Sequence, residues 1–278
     1  MAGKLEGKVA LITGAARGQG RAHAVKLASE GADIIAMDIC ANIDGVEYSL
    51  AEEDDLAQTV KLVESLDRRI IASVGDVRDR ASMDKIVAGG LREFGRLDFV
   101  IANAGVMPVF GPRANEVNAW DLSLDVLLTG VLNTVESTYQ HIIDGGEGGS
   151  IVITSSMAGL KVMMRTESAH TLGLLGYSAA KAGLINLARN YASIFAKHGI
   201  RVNTVHPTSV NTTMIHNEMI DKHWETADQE DAGVLMSPMG VLEVEPEDIA
   251  NTMSWLCSDD SRYFTGNQVR IDAGANLR

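Results

Sequence analysis

The chain has 278 residues, 46% of them hydrophobic, which is ample material for the core of one large α/β domain. Its 24 Lys+Arg stand against 37 Asp+Glu, a formal net charge of -13 that repels nucleic acid and anionic membrane and leaves a small molecule as the expected partner. Cys40 and Cys257 are too few for a disulfide scaffold, the seven histidines show no close ligand spacing, and no apolar run is long enough to span a bilayer, so a soluble, cytoplasmic protein without a structural metal is expected.

Residues 8–13 form the first short apolar run and predict a strand; the chain then passes through Gly14-Ala-Ala-Arg17-Gly18-Gln19-Gly20 into a helical pattern over 20–30. Strand, glycine turn and helix are the context a dinucleotide site requires. Glycine permits a tight turn and close backbone approach to a pyrophosphate, which then lies against free N–H groups at the helix start. The second strand, 34–38, ends at Asp38, eighteen residues beyond Gly20. An acid there accepts hydrogen bonds from both hydroxyls of an adenosine ribose and repels a 2′-phosphate, favouring NAD over NADP. Arg17 pulls the other way, since a basic residue in the turn could meet that phosphate; a solvated side chain or a pyrophosphate contact are its other readings. No Lys or Arg follows Asp38 for over twenty residues, so the acid carries more weight.

Residues 40–55 exceed a minimal sheet-and-helix plan, and their first part is placed to fold over adenosine. Glu52-Glu53-Asp54-Asp55 reads as an acidic helix start that complements the helix dipole. Further strands are expected at 70–74, 97–103, 151–154, 200–205 and 268–272, with helical patterns at 81–94, 117–143, 177–197 and 246–258. This alternation predicts βαβ units and a doubly wound parallel sheet covered on both faces. The glycine-rich stretch 144–149 precedes a strand rather than a helix and reads as a turn.

Strand 151–154 runs into Ser155-Ser156, a second added segment occupies 161–176, and Gly176-Tyr177-Ser-Ala-Ala-Lys181 opens the next helix. Tyr177 and Lys181, at i and i+4, share a helix face. Oxidising an alcohol needs a base for the hydroxyl proton, and a free phenol is mostly the wrong form at neutral pH; a nearby ammonium favours phenolate. Taken alone, the pair fits a solvated helix face better. Residues 211–239 contain Met214, Ile215, Met219, Trp224, Leu235 and Met236 among charges, either ordinary helix packing or the lining of a site for an apolar, variably shaped molecule.

Thr13-Gly14-x-x-x-Gly18-x-Gly20, then Asn103-Ala104-Gly105, then Tyr177-x-x-x-Lys181 resemble, in order and over nearly the whole chain, the short-chain dehydrogenase/reductase family. The turn 14–23, the long segment after Asp38 and the stretch Val205-His-Pro-Thr-Ser-Val-Asn-Thr-Thr-Met-Ile215 are similar to carveol dehydrogenase-like members, many of them linked to the redox carrier mycofactocin. The resemblance implies a single Rossmann-type domain over 1–278, a sheet of seven parallel strands and a homotetramer. It implies NAD held by Gly14, Arg17, Gly18, Gln19, Gly20 and Asp38, by Asp76 and Val77 at the adenine, and by Asn103, Ala104 and Gly105 at the end of the fourth strand. Pro207, Val210 and Thr212 fall where the family holds the nicotinamide carboxamide. Residues 211–239 correspond to the substrate lid, and the segment after Asp38 is associated with a cofactor that does not readily exchange and is reoxidised by an external carrier. The catalytic set implied is Ser156, which positions the substrate oxygen, Tyr177 as base, and Lys181, which tunes the tyrosine and binds nicotinamide ribose; Ser155 is the second candidate for the serine.

Three departures accompany the resemblance. Thr208 stands where most members have glycine. Ser156 and Tyr177 are 21 residues apart, longer than usual, so 161–176 carries an extra loop that either lines the substrate cleft or makes an oligomer contact. Leu127 occupies the place of an asparagine that supports a water-linked proton path from the lysine, and leucine has neither donor nor acceptor for that task. The expected function is NAD-dependent oxidation of an apolar, cyclic or terpenoid secondary alcohol to a ketone. The alternatives are a catalytically weak NAD-binding protein with a regulatory role, and a ketoacyl-thioester reductase, which Asp38 opposes.

Overall fold

The computed structural model describes residues 3–226 and 233–277. Seven parallel strands, β1 (Val9–Thr13), β2 (Asp33–Asp38), β3 (Ile70–Val74), β4 (Phe99–Ala102), β5 (Gly149–Thr154), β6 (Ile200–Pro207) and β7 (Gln268–Ile271), form one sheet in the order β3-β2-β1-β4-β5-β6-β7. The order reverses between β1 and β4, and the crevice beyond the strand ends there is where such sheets bind ligands. The central strands β1, β4 and β5 are buried on both faces, as their uninterrupted apolar runs require; β3 and β7, at the edges, are partly exposed.

Each face of the sheet has its own apolar cluster. On one, α1 (Gly18–Ser29), α2 (Glu53–Glu64) and α9 (Pro246–Cys257) contribute Leu27, Leu56, Met253 and Leu256, packed on Ile12, Ile34 and Ile101. On the other, α3 (Arg80–Phe94), α5 (Gly130–Glu136) and α7 (Leu172–Phe195) bring Val87, Val131, Leu184 and Phe195 against Leu11, Ile35, Val100 and Ile153. The acidic start expected at 52–55 is a capping box in which Glu52 and Asp55 satisfy each other's backbone N–H.

Several boundaries differ from the sequence reading. The helix expected over 117–143 is broken into α4 (Val117–Leu124), a π turn (Asp125–Thr129), α5 and α6 (Tyr139–Gly145). The second break follows from Thr138, whose hydroxyl donates back to the carbonyls of Thr134 (2.7 Å) and Val135 (3.0 Å) and competes with the helical ladder. Strand β4 stops at Ala102 because the Asn103 N–H turns to the Thr13 hydroxyl at 3.0 Å. Helix α7 begins at Leu172, capped by the Thr171 hydroxyl, which accepts from the Leu174 N–H at 3.0 Å; Tyr177 therefore lies inside the helix rather than at its opening. The turn expected within 144–149 occupies 146–148, between α6 and β5, with Gly146 and Gly148 at positive φ. Within the lid segment, α8 (Glu218–Thr226) is followed by 227–232, which lie outside the described residues. Among the described residues no helix is long and apolar enough to cross a membrane, and no group of His, Cys, Asp and Glu is arranged to hold a metal ion.

Candidate active site

The ends of β1, β4 and β5 are tied together at the reversal point. Thr13 Oγ1 accepts from the N–H groups of Asn103 (3.0 Å) and Ala104 (3.1 Å), Asn103 Nδ2 donates to the Thr13 carbonyl at 3.1 Å, and Thr154 Oγ1 donates to Asn103 Oδ1 at 3.3 Å. This brings Asn103-Ala104-Gly105 beside the glycine turn. Gly14 has φ +68, and a Cβ on it would lie 2.8 Å from the Ala104 Cα; one on Gly20 would lie 1.8 Å from the Gly14 carbonyl oxygen. Neither position tolerates a side chain, which is what keeps the turn tight against the helix.

A narrow cleft of ≈ 150 Å³ lies over this turn. It is lined by Gly14, Arg17, Gly18, Gln19, Gly20, Asp38, Asp76, Val77, Asn103, Ala104, Gly105 and Thr212, so the sequence-predicted set from the glycine turn, β2, β3 and β4 converges. Asp38 is buried, its Oδ2 accepting from the Ala16 N–H at 2.9 Å and its Oδ1 from the Cys40 N–H at 3.2 Å. The Asp76 carboxylate is engaged by Arg78. The residues fit a dinucleotide. Helix α1 starts without a capping side chain or an acidic residue in its first turn, leaving its N–H groups for an anion, and Gln19 Oε1 is buried without a protein partner.

Arg17 lines the cleft, and its guanidinium donates to the Ser49 carbonyl. The added segment after Asp38 crosses the cleft as a strap. Ile43, Tyr48, Leu50 and Ala51 line the cleft from above. The far end of the strap is fastened to the segment that follows β4: the Tyr48 hydroxyl accepts from the Met107 N–H at 3.1 Å, Glu47 Oε1 accepts from the Arg113 N–H at 3.1 Å, and the Asp44 carboxylate meets the Arg113 guanidinium at 2.6 and 3.3 Å. Burial raises the Tyr48 phenol pKa, so the group stays neutral.

Beside the cleft opens a cavity of ≈ 510 Å³, with Gln19, Thr212 and Met214 shared between the two. Ser156, Tyr177, Pro207, Thr208 and Val210 line its inner end. Met107, Val109, Met157, Met163, Leu174, Ile215, Trp224, Val234 and Leu235 give it an apolar wall; Met163, Ala169 and Leu174 place the extra loop and the start of α7 on the cavity. Phe110 and His223 stack across it, ring centroids 3.9 Å apart, joining the lid helix α8 to the segment after β4. The loop is anchored by Lys161, whose Nζ donates to the carbonyls of Val234 (2.9 Å) and Ala275 (2.8 Å).

Ser156 and Tyr177 line the cavity, and Lys181 lies buried beside the tyrosine ring. Burial raises the Tyr177 phenol pKa and the neighbouring Ser156 hydroxyl opposes the rise. Lys181 is buried, its Nζ donating to the Thr154 carbonyl at 2.8 Å and lying 5.7 Å from the Tyr177 ring centroid. Burial brings its pKa down to about 7. Ser155 is assigned by geometry to support: its hydroxyl donates to the Lys181 carbonyl at 2.8 Å, pinning α7 to the end of β5. Leu127, in the π turn, is fully buried, and its Cδ2 would lie 3.1 Å from a Cβ on Gly105. The usual asparagine position is therefore filled by hydrocarbon.

Sequence reasoning missed Tyr48, because nothing in the composition of the segment 40–51 gives its path. It also missed His206, which donates from Nδ1 to the Ser156 carbonyl at 2.8 Å. Only its place directly before Pro207 hinted at proximity to the site.

A family model described as enoyl-(acyl carrier protein) reductase matches residues 14–276. The chain is 43% identical over 283 residues to (-)-trans-carveol dehydrogenase of Rhodococcus erythropolis, covering 99% of each protein. Carveol dehydrogenase from Mycobacterium avium, solved in complex with NAD, superposes with a TM-score of 0.91 at 42% identity, over 99% of this chain and 100% of that one. A short-chain dehydrogenase from Mycobacterium paratuberculosis bound to NAD gives 0.90 at 44% identity, again over 99% and 100%.

Proposed function

The chain belongs to the short-chain dehydrogenase/reductase family and is an NAD-dependent oxidoreductase, and from that premise we propose that it oxidises an apolar secondary alcohol, cyclic or terpenoid in the manner of carveol, to the ketone. The observation that carries this reading is that Ser156 and Tyr177 line an apolar cavity which shares Gln19, Thr212 and Met214 with the adjoining cleft over the glycine turn. The cleft would hold NAD by the glycine turn, Asp38, Asp76, Val77 and Asn103-Ala104-Gly105, with Lys181 at the nicotinamide ribose and Pro207, Val210 and Thr212 at the carboxamide. When bound, oxidised nicotinamide supplies the hydride acceptor.

The protein's part is the proton and the orientation. Ser156 Oγ holds the substrate oxygen, and Tyr177 takes the hydroxyl proton as phenolate. Burial opposes that ionisation and the Ser156 hydroxyl favours it; Lys181, when protonated, would add positive charge beside the ring. The apolar walls orient the hydrocarbon body and exclude water. The lining methionines Met107, Met157, Met163, Met214 and Met236 suit a flexible fit to a rounded aliphatic substrate.

The strap supports retention of the cofactor between turnovers, with an external redox carrier such as mycofactocin reoxidising it in place. Exposed Val117, Leu132 and Ile194 on α4, α5 and α7 support burial against further copies in a homotetramer. Leu127 favours a second reading, a catalytically weak NAD-binding protein, because it removes a polar group from the route by which Lys181 would return its proton. Asp38 stands against a ketoacyl-thioester reductase using NADPH. Single-turnover reduction of bound NAD with a panel of cyclic secondary alcohols tests the proposal: the expected result is reduction by at least one of them, and a wild-type protein inert to the whole panel would favour the binding protein.

A further inference from the structure

Strand β6 ends in Thr204-Val205-His206-Pro207, and the imidazole of His206 is fully buried under the serine turn. Its Nδ1 lies 2.8 Å from the Ser156 carbonyl oxygen and its Nε2 lies 2.8 Å from Thr204 Oγ1. A carbonyl only accepts, so Nδ1 carries the hydrogen; Nε2 is then the acceptor, and the Thr204 hydroxyl donates to it. Burial holds the ring neutral, with a pKa near 4, so this tautomer persists across the neutral range.

The other bonds of the turn act on neighbouring groups. The Ser155 N–H donates to the Val205 carbonyl at 2.8 Å, the Ser155 hydroxyl to the Lys181 carbonyl at 2.8 Å, and the Lys181 Nζ to the Thr154 carbonyl at 2.8 Å. The Ser156 carbonyl itself receives the Gly159 N–H at 3.0 Å and the His206 ring. Ser156 has an extended backbone, φ -166 and ψ 161, and its Oγ accepts from the Ala158 N–H at 3.1 Å. Turning its carbonyl away would rotate ψ, break the Ala158 contact and swing the hydroxyl off Tyr177.

We propose that His206 is a positioning residue for the reaction: its Nδ1–H, held by the Thr204 hydroxyl, fixes the Ser156 peptide and so aims the serine hydroxyl at the substrate oxygen beside Tyr177. The inference rests on the reading of Ser156 as the group that holds that oxygen. Imidazole suits the position because one ring both receives a bond from the sheet and delivers one to the turn, without carrying charge next to Lys181.

His206→Leu and His206→Asn separate positioning from packing, because the asparagine amide Nδ2 reaches the place of Nδ1 and keeps the donor. With carveol as the probe, His206→Leu is expected to bind NAD as wild type does but to lose at least tenfold in the rate of single-turnover reduction, more in rate than in apparent substrate affinity. His206→Asn should regain most of that rate. Wild-type speed in His206→Leu, or an equal loss in both variants with NAD affinity and melting temperature intact, overturns the proposal. Histidine-selective 15N NMR of the wild-type protein, assigned by difference from His206→Asn, needs neither turnover nor a foldable leucine variant: a Nδ1-protonated His206 is expected, and the Nε2-protonated tautomer overturns the proposal. If wild type and variants alike fail with every alcohol, it is the substrate reading that falls, and the NMR result still decides the hydrogen bond.

Discussion

The Lys181 ammonium donates to the Thr154 carbonyl at 2.8 Å, and that bond stations it 5.7 Å from the Tyr177 ring centroid in a pocket that brings its pKa down to about 7. The phenol therefore has the Ser156 hydroxyl to favour its ionised form against burial, and a cationic neighbour whenever Lys181 is protonated. Tyr177→Phe, which keeps the ring packing, is expected to lower the rate of alcohol-driven reduction of bound NAD by about 10²–10⁴-fold, the usual range for a positioned base, with little change in NAD affinity. Stopped-flow formation of reduced nicotinamide measures it; undiminished reduction removes the proposed base.

Leu127 closes the place from which an amide would assist return of the proton. Leu127→Asn exchanges buried hydrocarbon for a polar group beside Gly105, at a cost of roughly 2–4 kcal/mol in stability. The same change is expected to raise steady-state turnover while leaving the single-turnover step within about twofold of wild type. Comparing the two rates in one preparation tests whether proton return limits the native enzyme; equal rates in both proteins show that it does not.

The buried carboxylate of Asp38 ends β2, and on the proposed reading it sets cofactor preference. Asp38→Ser puts a hydroxyl in place of the carboxylate and so removes the charge that opposes a 2′-phosphate, and should shift the ratio of NAD to NADP affinities by about 10–100-fold toward NADP, as expected for relief of a like-charge contact. Titration calorimetry with both nucleotides gives the ratio.

The strap closes the cleft through a few bonds at its far end, among them the Tyr48 hydroxyl on the Met107 N–H. Tyr48→Phe removes one hydrogen bond, a loss of about 1 kcal/mol, and is expected to speed NADH release about fivefold. Adding Arg113→Ala, which also frees Asp44, should speed it further. Release followed by fluorescence on dilution provides the check, and an unchanged rate in the double variant would mean that the strap does not retain the cofactor.

Burial depresses the pKa of His23 to about 3 and that of His206 to about 4, against an ordinary value of 6.5. Below about pH 6.5 the unfolded chain takes up protons that the folded one refuses, so it binds more protons and folding stability falls with pH, from 6.5 down through 4 to 3. Above pH 6.5 both rings are neutral in either state and this contribution is flat. His23→Leu should make the loss between pH 6 and 4 visibly shallower in denaturant titrations; an identical slope would show that His23 does not titrate on unfolding.

Much of this protein is local in origin, and that part was legible. The period of apolar residues set the strand and helix alternation, because a parallel strand must be apolar on both faces while its covering helices need only a stripe. Gly14 and Gly20 announced a turn without room for a Cβ, Asp38 an acid at a strand end, and Tyr177 with Lys181 a shared helix face; each depends on neighbours within a few residues. The break of the helix at Thr138 was not legible, because threonine's competition with the ladder depends on the surrounding packing. Nor was the bond from the Arg17 guanidinium to the carbonyl of Ser49, 32 residues on. Tyr48 reaches Met107 over 59 residues and His206 reaches Ser156 over 50. Such contacts leave no periodic trace in the sequence, since only the crossing of the strap and the register of β5 beside β6 bring the atoms within hydrogen-bonding distance. By itself the sequence determined the kind of fold, the glycine turn and which residues carry polar chemistry; the tertiary structure decided which serine supports α7, which faces Tyr177, and what holds it there, because hydrogen bonds are made by distance in space and not by distance along the chain.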